Sequence, residues 1–526
     1  MRSTQENVRG AADWLQAHAA PGAHLRIDSR AVRPGDVYVA LPGRQKDGIQ
    51  FVSSARERGA GAFLIDEACA RADLADIPRD STRRVDRLAQ DLGWIAADFY
   101  GDPTGQLRTV GVTGTNGKTS SCLWIARMLE SSGMRCATMG TLGFGFPDAI
   151  DADETQLTTP DAATVQRLAR RALDEGARAL AMEVSSIGLD QGRVHGVSFG
   201  VALFTNLTRD HLDYHSDMTS YAAAKRRLFD WPGLEHAVLN LDDEFGLERA
   251  RALHLRGQAV IGYTTQAHTG RDIGLAWRLA ASDVEHHATG LRFRVQAERH
   301  GGRDGAIDAA PVNAAVIGDF NLSNLLGVLG VAIACGMALR EAVAALAGLE
   351  APPGRLQRVV VDAAGEGARG NAAHADVPLA IVDYAHTPDA IVKALRALRP
   401  VARARGGRLW IVFGAGGDRD PGKRPQMGAA AAAEADVVVL TSDNPRTEDP
   451  EMILGQIAQG IAPGRNFQRD ADRKLAIELA IHDAGPNDVI LIAGKGHEPY
   501  QEVAGRRLPF SDFAVARGAL AARSGS

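Results

Sequence analysis

The chain has 526 residues, of which 45% are hydrophobic and 5% aromatic, and its formal net charge is −5. This length predicts three or four domains with sizeable cores, and the acidic balance argues against a general nucleic-acid binder. The cysteines Cys69, Cys122, Cys136 and Cys335 lack C-x-x-C spacing, which disfavours a zinc site or a disulfide framework. The polar N-terminus lacks the apolar core of a signal peptide, and no run reaches transmembrane length. The cytoplasm is therefore the expected compartment.

Residues 1–107 form the first predicted domain, a small α/β unit. Apolar runs at Val37–Leu41 and Ala62–Ile65 are typical of short buried strands, and a turn signal at Arg33–Asp36 precedes the first of them. A helix is predicted around Phe51–Arg58, between the two strands. The composition of this segment alone indicates a structural domain and assigns it no chemistry.

Residues 108–352 form the second predicted domain, in which apolar runs and helical patterns alternate. Such alternation is typical of a mostly parallel sheet with helices on both faces, and ligands then bind beyond the carboxyl ends of the strands. We expect an irregular or hairpin region at 285–315, with a loop at 300–305, and a closing helix at 321–335. The predicted strands are 109–112, 179–183, 200–205 and 237–240, and the helices between them include 120–132, 162–175 and 221–229.

Residues 353–526 form the third predicted domain, another α/β unit, which follows a Pro-rich linker at 351–354. The small, polar and Gly-rich stretch 362–376 is interpreted as a mobile insertion. The chain as a whole is thus predicted to be an α/β protein of three domains. The predicted strands of the third domain are 379–382, 409–413, 437–440 and 489–492.

A glycine-rich stretch, Gly111–Ser120, follows the first predicted strand of the second domain and precedes a helical pattern. Its core, G-T-N-G-K-T, resembles a P-loop, although the glycine spacing departs from the standard Walker pattern. Glycines let successive N–H groups point at phosphate oxygens, a lysine adds positive charge, and a threonine hydroxyl is available to Mg²⁺. The predicted phosphate-binding residues are Gly114, Thr115, Asn116, Gly117, Lys118, Thr119 and Ser120.

Polar residues follow two further strands at the same predicted sheet edge. Glu183 ends one apolar run, and His211 lies in the polar segment after 200–205. Mg²⁺ prefers oxygen ligands and usually bridges carboxylates to phosphates, so Glu183 and Thr119 are candidate ligands and His211 is a candidate for a second ion. Lys225 lies in a helical pattern, where the residue type by itself indicates a lysine on the helix surface.

These motifs resemble those of the Mur ligase family, the ATP-dependent amide-bond synthetases of bacterial cell-wall assembly. The resemblance spans all three segments in order. It implies an N-terminal UDP-sugar-binding α/β domain, a central P-loop-type ATP-binding domain with a mostly parallel sheet, and a C-terminal Rossmann-like domain that binds the amino acid. The matching residues are G-T-N-G-K-T at 114–119, T-T-P at 158–160, E-V-S-S at 183–186, 205–211, 221–225, Asn321, Gly354-Arg355 and D-Y-A-H-T-P at 383–388.

A narrower set of motifs is similar to that of family members that add the third peptide residue. These motifs are D-S-R at 28–30, D-G at 47–48, 414–420, D-N-P-R at 443–446 and G-K-G-H-E at 494–498. The implied reaction phosphorylates the D-Glu γ-carboxylate of UDP-MurNAc-L-Ala-D-Glu with ATP. The amine of meso-diaminopimelate then attacks the acyl phosphate, as a step of peptidoglycan precursor synthesis.

The resemblance implies roles for residues of the catalytic centre. Lys118, Glu183, His211 and Lys225 would be catalytic, and the metal would be held by Thr119, Glu183, His211 and Lys225. Lys225 matches a lysine that the family carries as a CO₂-derived carbamate, whose two anionic oxygens hold a metal that an ammonium would repel. The implied cofactors are ATP and Mg²⁺, with nucleotide contacts from Asn321, Arg355 and Asp383.

The resemblance also implies positions for the two other substrates. Arg446 is the expected partner of the carboxylate that distinguishes meso-diaminopimelate from lysine, because a guanidinium binds a carboxylate bidentately. The residues implied for the uridine nucleotide are Ser29, Arg44, Gln45 and Lys46, and those for the sugar–peptide are Thr158, Thr159, Ser185, Gln191 and Arg193. The residues implied for the incoming amino acid are Arg419, Asp443, Asn444, Pro445, Arg446, Gly494 and Glu498.

Several alternatives stay open at this point. One is a sister ligase that takes L-lysine, for which Arg446 is the discriminating residue. Another is a folylpolyglutamate-type ligase, against which the D-S-R and D-N-P-R motifs both argue. The remaining alternatives are a P-loop ATPase without synthetic activity and an inactive scaffold. The scaffold is disfavoured because all the predicted phosphate-binding and metal-binding residues are present. The expected partners are small molecules, with no nucleic acid and no membrane insertion, and the expected state is a monomer.

Overall fold

The computed structural model describes residues 2–43, 46–69, 79–155, 157–287, 290–299, 307–308, 311–361 and 377–524. The chain divides into two compact units, and both are of the predicted α/β class. The boundaries of the three predicted domains stay a prediction. Unit 1 comprises Met1–Ala280, Gln296–Ile307 and Ser323–Ala342, and unit 2 comprises Ala281–Val295, Asp308–Leu322 and Val343–Ser526.

The N-terminal part of unit 1 contains a small parallel sheet. Its elements are α1 (Arg2–His18), β1 (Leu25–Arg26), β2 (Val37–Ala40), α2 (Val52–Glu57), β3 (Ala62–Asp66), β4 (Thr82–Val85) and α3 (Leu88–Phe99). The strand order is β1-β2-β3-β4 with all neighbours parallel. Both predicted strands lie within a residue of β2 and β3. The predicted helix at 51–58 is a 3₁₀ turn at Gly48–Phe51 followed by α2.

The central part of unit 1 contains a larger, mostly parallel sheet. Its elements are β5 (Arg108–Thr113), α4 (Lys118–Ser131), β6 (Cys136–Gly140), β7 (Gly143–Phe146), β8 (Ala149–Asp151), α5 (Ala162–Asp174), β9 (Ala179–Glu183), α6 (Ser186–Asp190), β10 (Val201–Phe204), α7 (Met218–Arg226), β11 (His236–Asn240), α8 (Glu244–Leu255) and β12 (Ala259–Thr264). The strand order is β8-β7-β6-β9-β5-β10-β11-β12. Neighbours from β6 to β12 are parallel, and β7 and β8 are added antiparallel.

Strand β5 lies where the chain changes its direction of winding across this sheet. The connection through α4 leads from β5 towards β6 on one side, and the later strands β10, β11 and β12 extend the other side. Its residues from Thr109 to Thr113 are buried, since β9 and β10 flank the strand. Open α/β sheets bind ligands beyond the carboxyl end of such a strand. The glycine-rich stretch begins there.

Four strands and two helices follow β12, and the first of these strands continues the central sheet by pairing parallel with β12. They are β13 (Trp277–His287), β14 (Gly290–Arg299), β15 (Ile307–Asp308), β16 (Val312–Ala314), α9 (Asp319–Ala334) and α10 (Leu339–Leu346). β14 pairs antiparallel with β16, in keeping with the hairpin predicted for 285–315. The predicted loop at 300–305 lies outside the described residues.

The C-terminal part of unit 2 contains a second mostly parallel sheet. Its elements are β17 (Gln357–Arg358), β18 (Leu379–Asp383), α11 (Pro388–Arg405), β19 (Leu409–Phe413), α12 (Lys423–Glu434), β20 (Val437–Thr441), α13 (Pro450–Ala458), β21 (Gln468–Asp470), α14 (Arg473–Asp483), β22 (Val489–Ala493), β23 (Tyr500–Val503), β24 (Arg506–Pro509) and α15 (Asp512–Ser524). The order is β17-β18-β22-β19-β20-β21, with only the β17 pairing antiparallel. The predicted insertion at 362–376 lies outside the described residues. Among the helices that the structure describes, none is long and apolar enough to cross a membrane.

Candidate active site

The glycine-rich loop joins β5 to α4, and two glycines fix its shape. Gly117 has φ of +83° and caps α4, and Gly114 has φ of +154°. A Cβ at Gly114 would lie 1.8 Å from the Thr205 hydroxyl oxygen, and a Cβ at Gly117 would lie 2.6 Å from Asn324 Oδ1. Neither position has room for a side chain. The N–H groups of the first turn of α4, which a helix cannot bond internally, therefore lie directly after a tightly packed turn.

The segment that follows β10 holds this loop in place. The Thr115 N–H donates to the Asn206 carbonyl oxygen at 2.8 Å, and the Asn116 N–H donates to Asn206 Oδ1 at 3.1 Å. The Asn206 side-chain amide donates back to the Asn116 carbonyl oxygen at 3.2 Å. These two N–H groups face Asn206, whereas the sequence predicts that successive N–H groups of the loop point at phosphate. The part of the predicted cradle best placed for an anion is thus the start of α4.

Two lysines meet at the loop. Lys118 Nζ donates to the carbonyl oxygens of Gly114 and Thr115 at 3.0 and 2.9 Å, and Lys225 Nζ donates to the Gly114 oxygen at 2.8 Å. The interpretation of Lys225 as a surface lysine is wrong, because only 1% of the residue is exposed. Its burial, and secondarily the charge of Lys118, lowers the pKa of Lys225 well below its usual value. The face of the Tyr221 ring lies 4.5 Å from its amine.

Glu183, at the carboxyl end of β9, is a buried and firmly held carboxylate. It is 2% exposed, and its Oε1 accepts the Thr141 N–H at 2.8 Å. The Thr141 hydroxyl lies 3.3 Å from Oε2, and a Cβ at Gly140 would approach Oε1 to 2.3 Å. The carboxylate therefore has a fixed orientation at the same edge of the sheet as the glycine-rich loop.

His211 lies in the segment after β10 with a left-handed backbone, at φ of +53°. Partial burial lowers the pKa of His211, the Asp210 carboxylate opposes the shift, and the Lys118 and Lys225 charges add to it. A neutral imidazole is the form that ligates a metal. Thr119 and Glu183 offer the oxygen donors that Mg²⁺ prefers, and the His211 imidazole would add a nitrogen donor. No group of three or more His, Cys, Asp or Glu side chains arranged to hold a metal occurs in the described residues, so the metal set stays a prediction.

The residues predicted for the sugar–peptide are brought together around Thr159. Its hydroxyl donates to the Glu183 carbonyl oxygen at 2.9 Å and accepts the Ser185 N–H at 2.9 Å. Arg193 donates to the Thr159 carbonyl oxygen at 2.9 Å and to Gln191 Oε1 at 2.6 and 2.9 Å. Thr158, which accepts a hydrogen bond from the Thr141 hydroxyl at 3.3 Å, extends this group towards Glu183.

The residues predicted for the uridine nucleotide are described only in part. Ser29 is 7% exposed and begins a 3₁₀ turn capped by the Asp28 side chain. The Arg30 guanidinium pairs with Asp28 at 2.6 Å on the surface. Lys46 is exposed, and Arg44 and Gln45 lie outside the described residues.

The three predicted nucleotide contacts outside the glycine-rich loop lie in unit 2. Asn321 is 3% exposed, in the first turn of α9. The Asp383 carboxylate accepts the Leu356 N–H at 2.7 Å, and its burial raises the pKa of Asp383 against the opposing charge of Arg355. The Arg355 guanidinium lies 5.0 Å above the Tyr384 ring. The structure thus places Arg355 and Asp383 together.

The D-N-P-R and G-K-G-H-E motifs meet at the carboxyl ends of β20 and β22. The Asn444 amide donates to Glu498 Oε2 at 2.9 Å. Gly494 has φ of +117°, and a Cβ there would lie 2.3 Å from Asp443 Oδ2. Residues separated by about fifty positions in the chain therefore form one cluster, because their strands lie in the same parallel sheet.

Arg446 faces a second glycine-rich loop, which follows β19. Its Nη1 donates to the Gly417 carbonyl oxygen at 2.5 Å, and its Nε lies 3.5 Å from Glu502 Oε2. A Cβ at Gly416 would lie 3.0 Å from Arg446 Nη1 and 3.7 Å from Arg419 Cγ. The two predicted arginines thus flank Gly416. Pro445 lies against the same loop, because its carbonyl oxygen would be only 1.9 Å from a Cβ added at Gly417.

Several buried polar residues in and beside these clusters had no predicted role. Asn324 faces Gly117, and His215 Nε2 lies 3.0 Å from the Ser186 hydroxyl. Lys495 is fully buried beside Asn444 and Glu498. Lys495 stands inside a motif already singled out, so the sequence offered a signal for it. Asn324 and His215 had only weak signals, as polar residues in a helix and beside a polar segment.

Comparison of the sequence with models of known protein families identifies the class of protein. Three family models match consecutive parts of the chain: the Mur ligase family catalytic domain at residues 23–100, the Mur ligase middle domain at 112–332, and the Mur ligase glutamate ligase domain at 369–496. The chain belongs to the Mur ligase family.

Particular relatives share most of the chain. The UDP-N-acetylmuramoyl-L-alanyl-D-glutamate–2,6-diaminopimelate ligase of Ralstonia nicotianae is 48% identical, covering 97% of this chain and 95% of its own. The protein of the same name from Janthinobacterium sp. is 46% identical, covering 97% and 96%. A solved structure of a ligase of that name is 34% identical with a TM-score of 0.63, covering 95% of this chain and 94% of its own.

Proposed function

We propose that this chain is an ATP-dependent ligase that joins meso-diaminopimelate to the D-Glu γ-carboxylate of UDP-MurNAc-L-Ala-D-Glu, in peptidoglycan precursor synthesis. The observation that supports it most directly is the cluster of Asp443, Asn444, Arg446 and Glu498 at one sheet edge of unit 2. The near full-length identity to diaminopimelate ligases supports the same conclusion. A folylpolyglutamate synthase of Mycobacterium tuberculosis shares only the fold, at 18% identity.

The start of α4 is the proposed site for the ATP phosphates. It combines the N-terminus of a 14-residue helix with the Lys118 ammonium and the Thr119 hydroxyl. Bound ATP would supply the phosphoryl group that converts the γ-carboxylate, a poor acyl donor, into an acyl phosphate. Lys118 would exchange its two carbonyl acceptors for phosphate oxygens, which form stronger charge-assisted hydrogen bonds. Asn321, Arg355 and Asp383 are the further proposed nucleotide contacts.

Thr119, Glu183 and His211 are the proposed Mg²⁺ ligands, together with Lys225 as a carbamate. Mg²⁺ bound there would offset the negative charge that develops during phosphoryl transfer. Glu183 needs no rearrangement to serve, because Thr141 already fixes its orientation. Partial burial, followed by the Lys118 and Lys225 charges that act on the imidazole, lowers the pKa of His211.

The proposed carbamate on Lys225 has a chemical basis in its surroundings. Only a neutral amine attacks CO₂, and burial favours the neutral form of Lys225. Attack forms one N–C bond and releases one proton, which leaves an anion with two oxygens in place of an ammonium. The anion would also relieve the repulsion between Lys225 and Lys118 at the Gly114 oxygen.

The cluster in unit 2 is the proposed site of meso-diaminopimelate. Arg446 and Arg419 flank Gly416, so two guanidinium groups are available to the carboxylate that L-lysine lacks. Asp443 and Glu498 offer acceptors for an ammonium, the Asn444 amide offers a donor for a carboxylate, and Pro445 and Gly494 shape the wall. L-lysine has no second carboxylate with which Arg446 could form a bidentate, charge-assisted pair, which disfavours L-lysine as the substrate.

Ser29 and the 44–46 loop are the proposed contacts of the uridine nucleotide. The Thr159 group, with Thr158, Ser185, Gln191 and Arg193, is the proposed site of the sugar–peptide. Its hydrogen bond to the Glu183 backbone ties this group to the proposed metal site. That link would bring the γ-carboxylate next to the phosphoryl donor.

We propose that the protein works as a monomer in the cytoplasm. The cysteines are all unpaired, and Cys69, Cys122 and Cys136 are buried, as is typical of a reducing compartment. Light scattering of the purified protein during gel filtration tests the monomer, and a dimer mass at micromolar concentration contradicts it.

One assay tests the proposed activity. Purified protein, ATP, Mg²⁺ and UDP-MurNAc-L-Ala-D-Glu are incubated separately with meso-diaminopimelate and with L-lysine, and the product mass is recorded. We expect a product with meso-diaminopimelate and ADP release that requires both acceptor and amino acid. Product formed with L-lysine but not with meso-diaminopimelate identifies the sister ligase. Phosphate release in the absence of both the acceptor nucleotide and an amino acid identifies an ATPase without synthetic activity.

A further inference from the structure

Lys495 is a buried cation for which the proposed function has no role. It follows β22 by two residues and is 0% exposed. Its Nζ donates to Asn444 Oδ1 and to Glu498 Oε2, both at 3.0 Å, and lies 5.6 Å above the Tyr500 ring. Lysine is among the residues least often fully buried, because losing the hydration of an ammonium is costly. Here the compensation comes from two side chains of the proposed amino-acid site.

Lys495 fixes which way the Asn444 amide points. Asn444 Oδ1 accepts from Lys495 Nζ at 3.0 Å and from the Glu502 N–H at 2.9 Å, and the Asn444 NH₂ donates to Glu498 Oε2 at 2.9 Å. A flipped amide would place its NH₂ against an ammonium and a backbone N–H, and its oxygen against a carboxylate. All three contacts would become repulsive, so only one orientation is compatible with a charged Lys495.

Lys495 also fixes the Glu498 carboxylate. Oε2 accepts from both Lys495 Nζ and Asn444 Nδ2, at 3.0 and 2.9 Å. Both bonds are made to Oε2 and hold that oxygen in position, and neither is made to Oε1. Glu498 would otherwise rotate, because four residues (494–497) separate it from the end of β22.

We propose that Lys495 is a positioning residue for the amino-acid substrate, acting through Asn444 and Glu498. This inference rests on the proposed function, since it assumes that those two side chains bind the ammonium and carboxylate of the incoming amino acid. An ammonium donor of fixed position orders both groups before the substrate binds. The entropy of ordering them is then not lost on binding, which tightens the complex.

The test is a comparison of KM values in Lys495→Met, which keeps the length of the side chain and removes the charge. We expect KM for meso-diaminopimelate to rise about 10- to 100-fold, since charge-assisted hydrogen bonds are lost. KM for ATP and for UDP-MurNAc-L-Ala-D-Glu should stay within about twofold. A merely structural role lowers the active fraction instead, which reduces the apparent kcat and leaves all three KM values unchanged.

Two further variants complete the experiment. Lys474→Met changes an exposed lysine of α14 whose contact is an ion pair with Glu478, and it should leave all three KM values unchanged. Lys495→Gln keeps a donor without the charge, and a smaller rise in the same KM is expected. If Lys495→Met does not fold, Lys495→Gln replaces it: KM for meso-diaminopimelate should still rise while the other two KM values stay unchanged, and three unchanged KM values overturn the proposal.

A double-mutant cycle separates this inference from the proposed function. In the Asn444→Ala background, Lys495→Met should raise KM by a smaller factor than it does in the wild type, because one of the two side chains through which it acts is already removed. Full additivity overturns the proposal. Absence of product from the wild-type enzyme with meso-diaminopimelate overturns the proposed function instead, and that result is read before any variant is compared.

Discussion

Lys118 and Lys225 donate to the same acceptor, the Gly114 carbonyl oxygen, at 3.0 and 2.8 Å. A second positive charge at this oxygen would be repelled by Lys118, and burial, followed by the Lys118 charge, lowers the pKa of Lys225. The arrangement joins the glycine-rich loop to α7 through a single atom. A change in the charge of either lysine therefore alters the electrostatic environment of the other.

Lys225→Ala should lower kcat roughly 100-fold or more, because an anionic metal ligand would be lost from the reaction centre. Bicarbonate or a short carboxylate such as acetate should restore part of the activity by occupying the vacated space. Steady-state rates with and without the added anion measure this. Lys393→Ala removes an exposed lysine paired with Asp389 and should change nothing. Wild-type turnover of Lys225→Ala without additives contradicts the proposed carbamate.

Gly117→Ala should abolish ATP binding and destabilise the protein by more than about 2 kcal/mol. The substitution adds strain at φ of +83° and a contact of 2.6 Å with Asn324. Gly133→Ala is the matched control, since Gly133 has φ of +81° with no atom within 4 Å of an added Cβ. It should cost about 1 kcal/mol, from backbone strain alone. Thermal unfolding and ATP titration measure the two effects. If Gly117→Ala and Gly133→Ala lose the same stability and the same ATP affinity, the Asn324 contact contributes to neither.

Arg446→Lys should raise KM for meso-diaminopimelate about 10- to 100-fold, because a lysine cannot bind a carboxylate bidentately. Discrimination against L-lysine should fall in parallel, as the ratio of kcat/KM for the two amino acids. Arg506→Lys, on the exposed hairpin strand β24, serves as the control and should leave that ratio unchanged. An unaltered ratio in Arg446→Lys would assign the discrimination to another residue, with Arg419 the next to test.

His497 should make the stability of unit 2 dependent on pH between about 6.5 and 4. Burial, and then the Arg355 charge, lowers the pKa of His497 from 6.5 to about 4, and its buried Nδ1 makes no hydrogen bond. The folded state favours the neutral ring, so this contribution is complete above pH 6.5 and is lost as the pH falls towards 4. The loss is of the order of 3 kcal/mol.

His497→Gln should flatten this part of the pH profile, because glutamine does not titrate. Thermal midpoints measured at several pH values between 4 and 7 provide the test. His482→Gln is the control, since the His482 side chain is 83% exposed, and it should keep the wild-type profile. A profile of His497→Gln that parallels the wild type would assign the acid sensitivity to other groups.

The class of fold followed from local patterns. Runs such as 179–183 and 409–413 are apolar throughout, because strands of a parallel sheet are buried on both faces. Their alternation with helical patterns predicted the two larger sheets, and β9 and β19 have the predicted bounds. The short β1 and β4 escaped prediction, since two to four residues, partly exposed, leave too little pattern.

The candidate site was predicted as a set of residues, without their contacts. Lys225 illustrates the difference. Its helical pattern alone indicated a surface position, yet α7 packs against the glycine-rich loop and buries the amine on the Gly114 oxygen. Asn206 is similar, because its hold on Thr115 and Asn116 joins segments about ninety residues apart. Pairings over such distances leave no periodic trace in a single sequence.

The sequence by itself determined the α/β class, the family and the order of its motifs. Strand burial, helix periodicity and short glycine-rich turns each depend on residues that are neighbours in the sequence. Only the tertiary structure decided which N–H groups of the loop face Asn206, that two lysines share one oxygen, and that Lys495 is buried between Asn444 and Glu498. Those arrangements depend on desolvation and hydrogen bonding between distant segments, which exist only once the sheets have assembled.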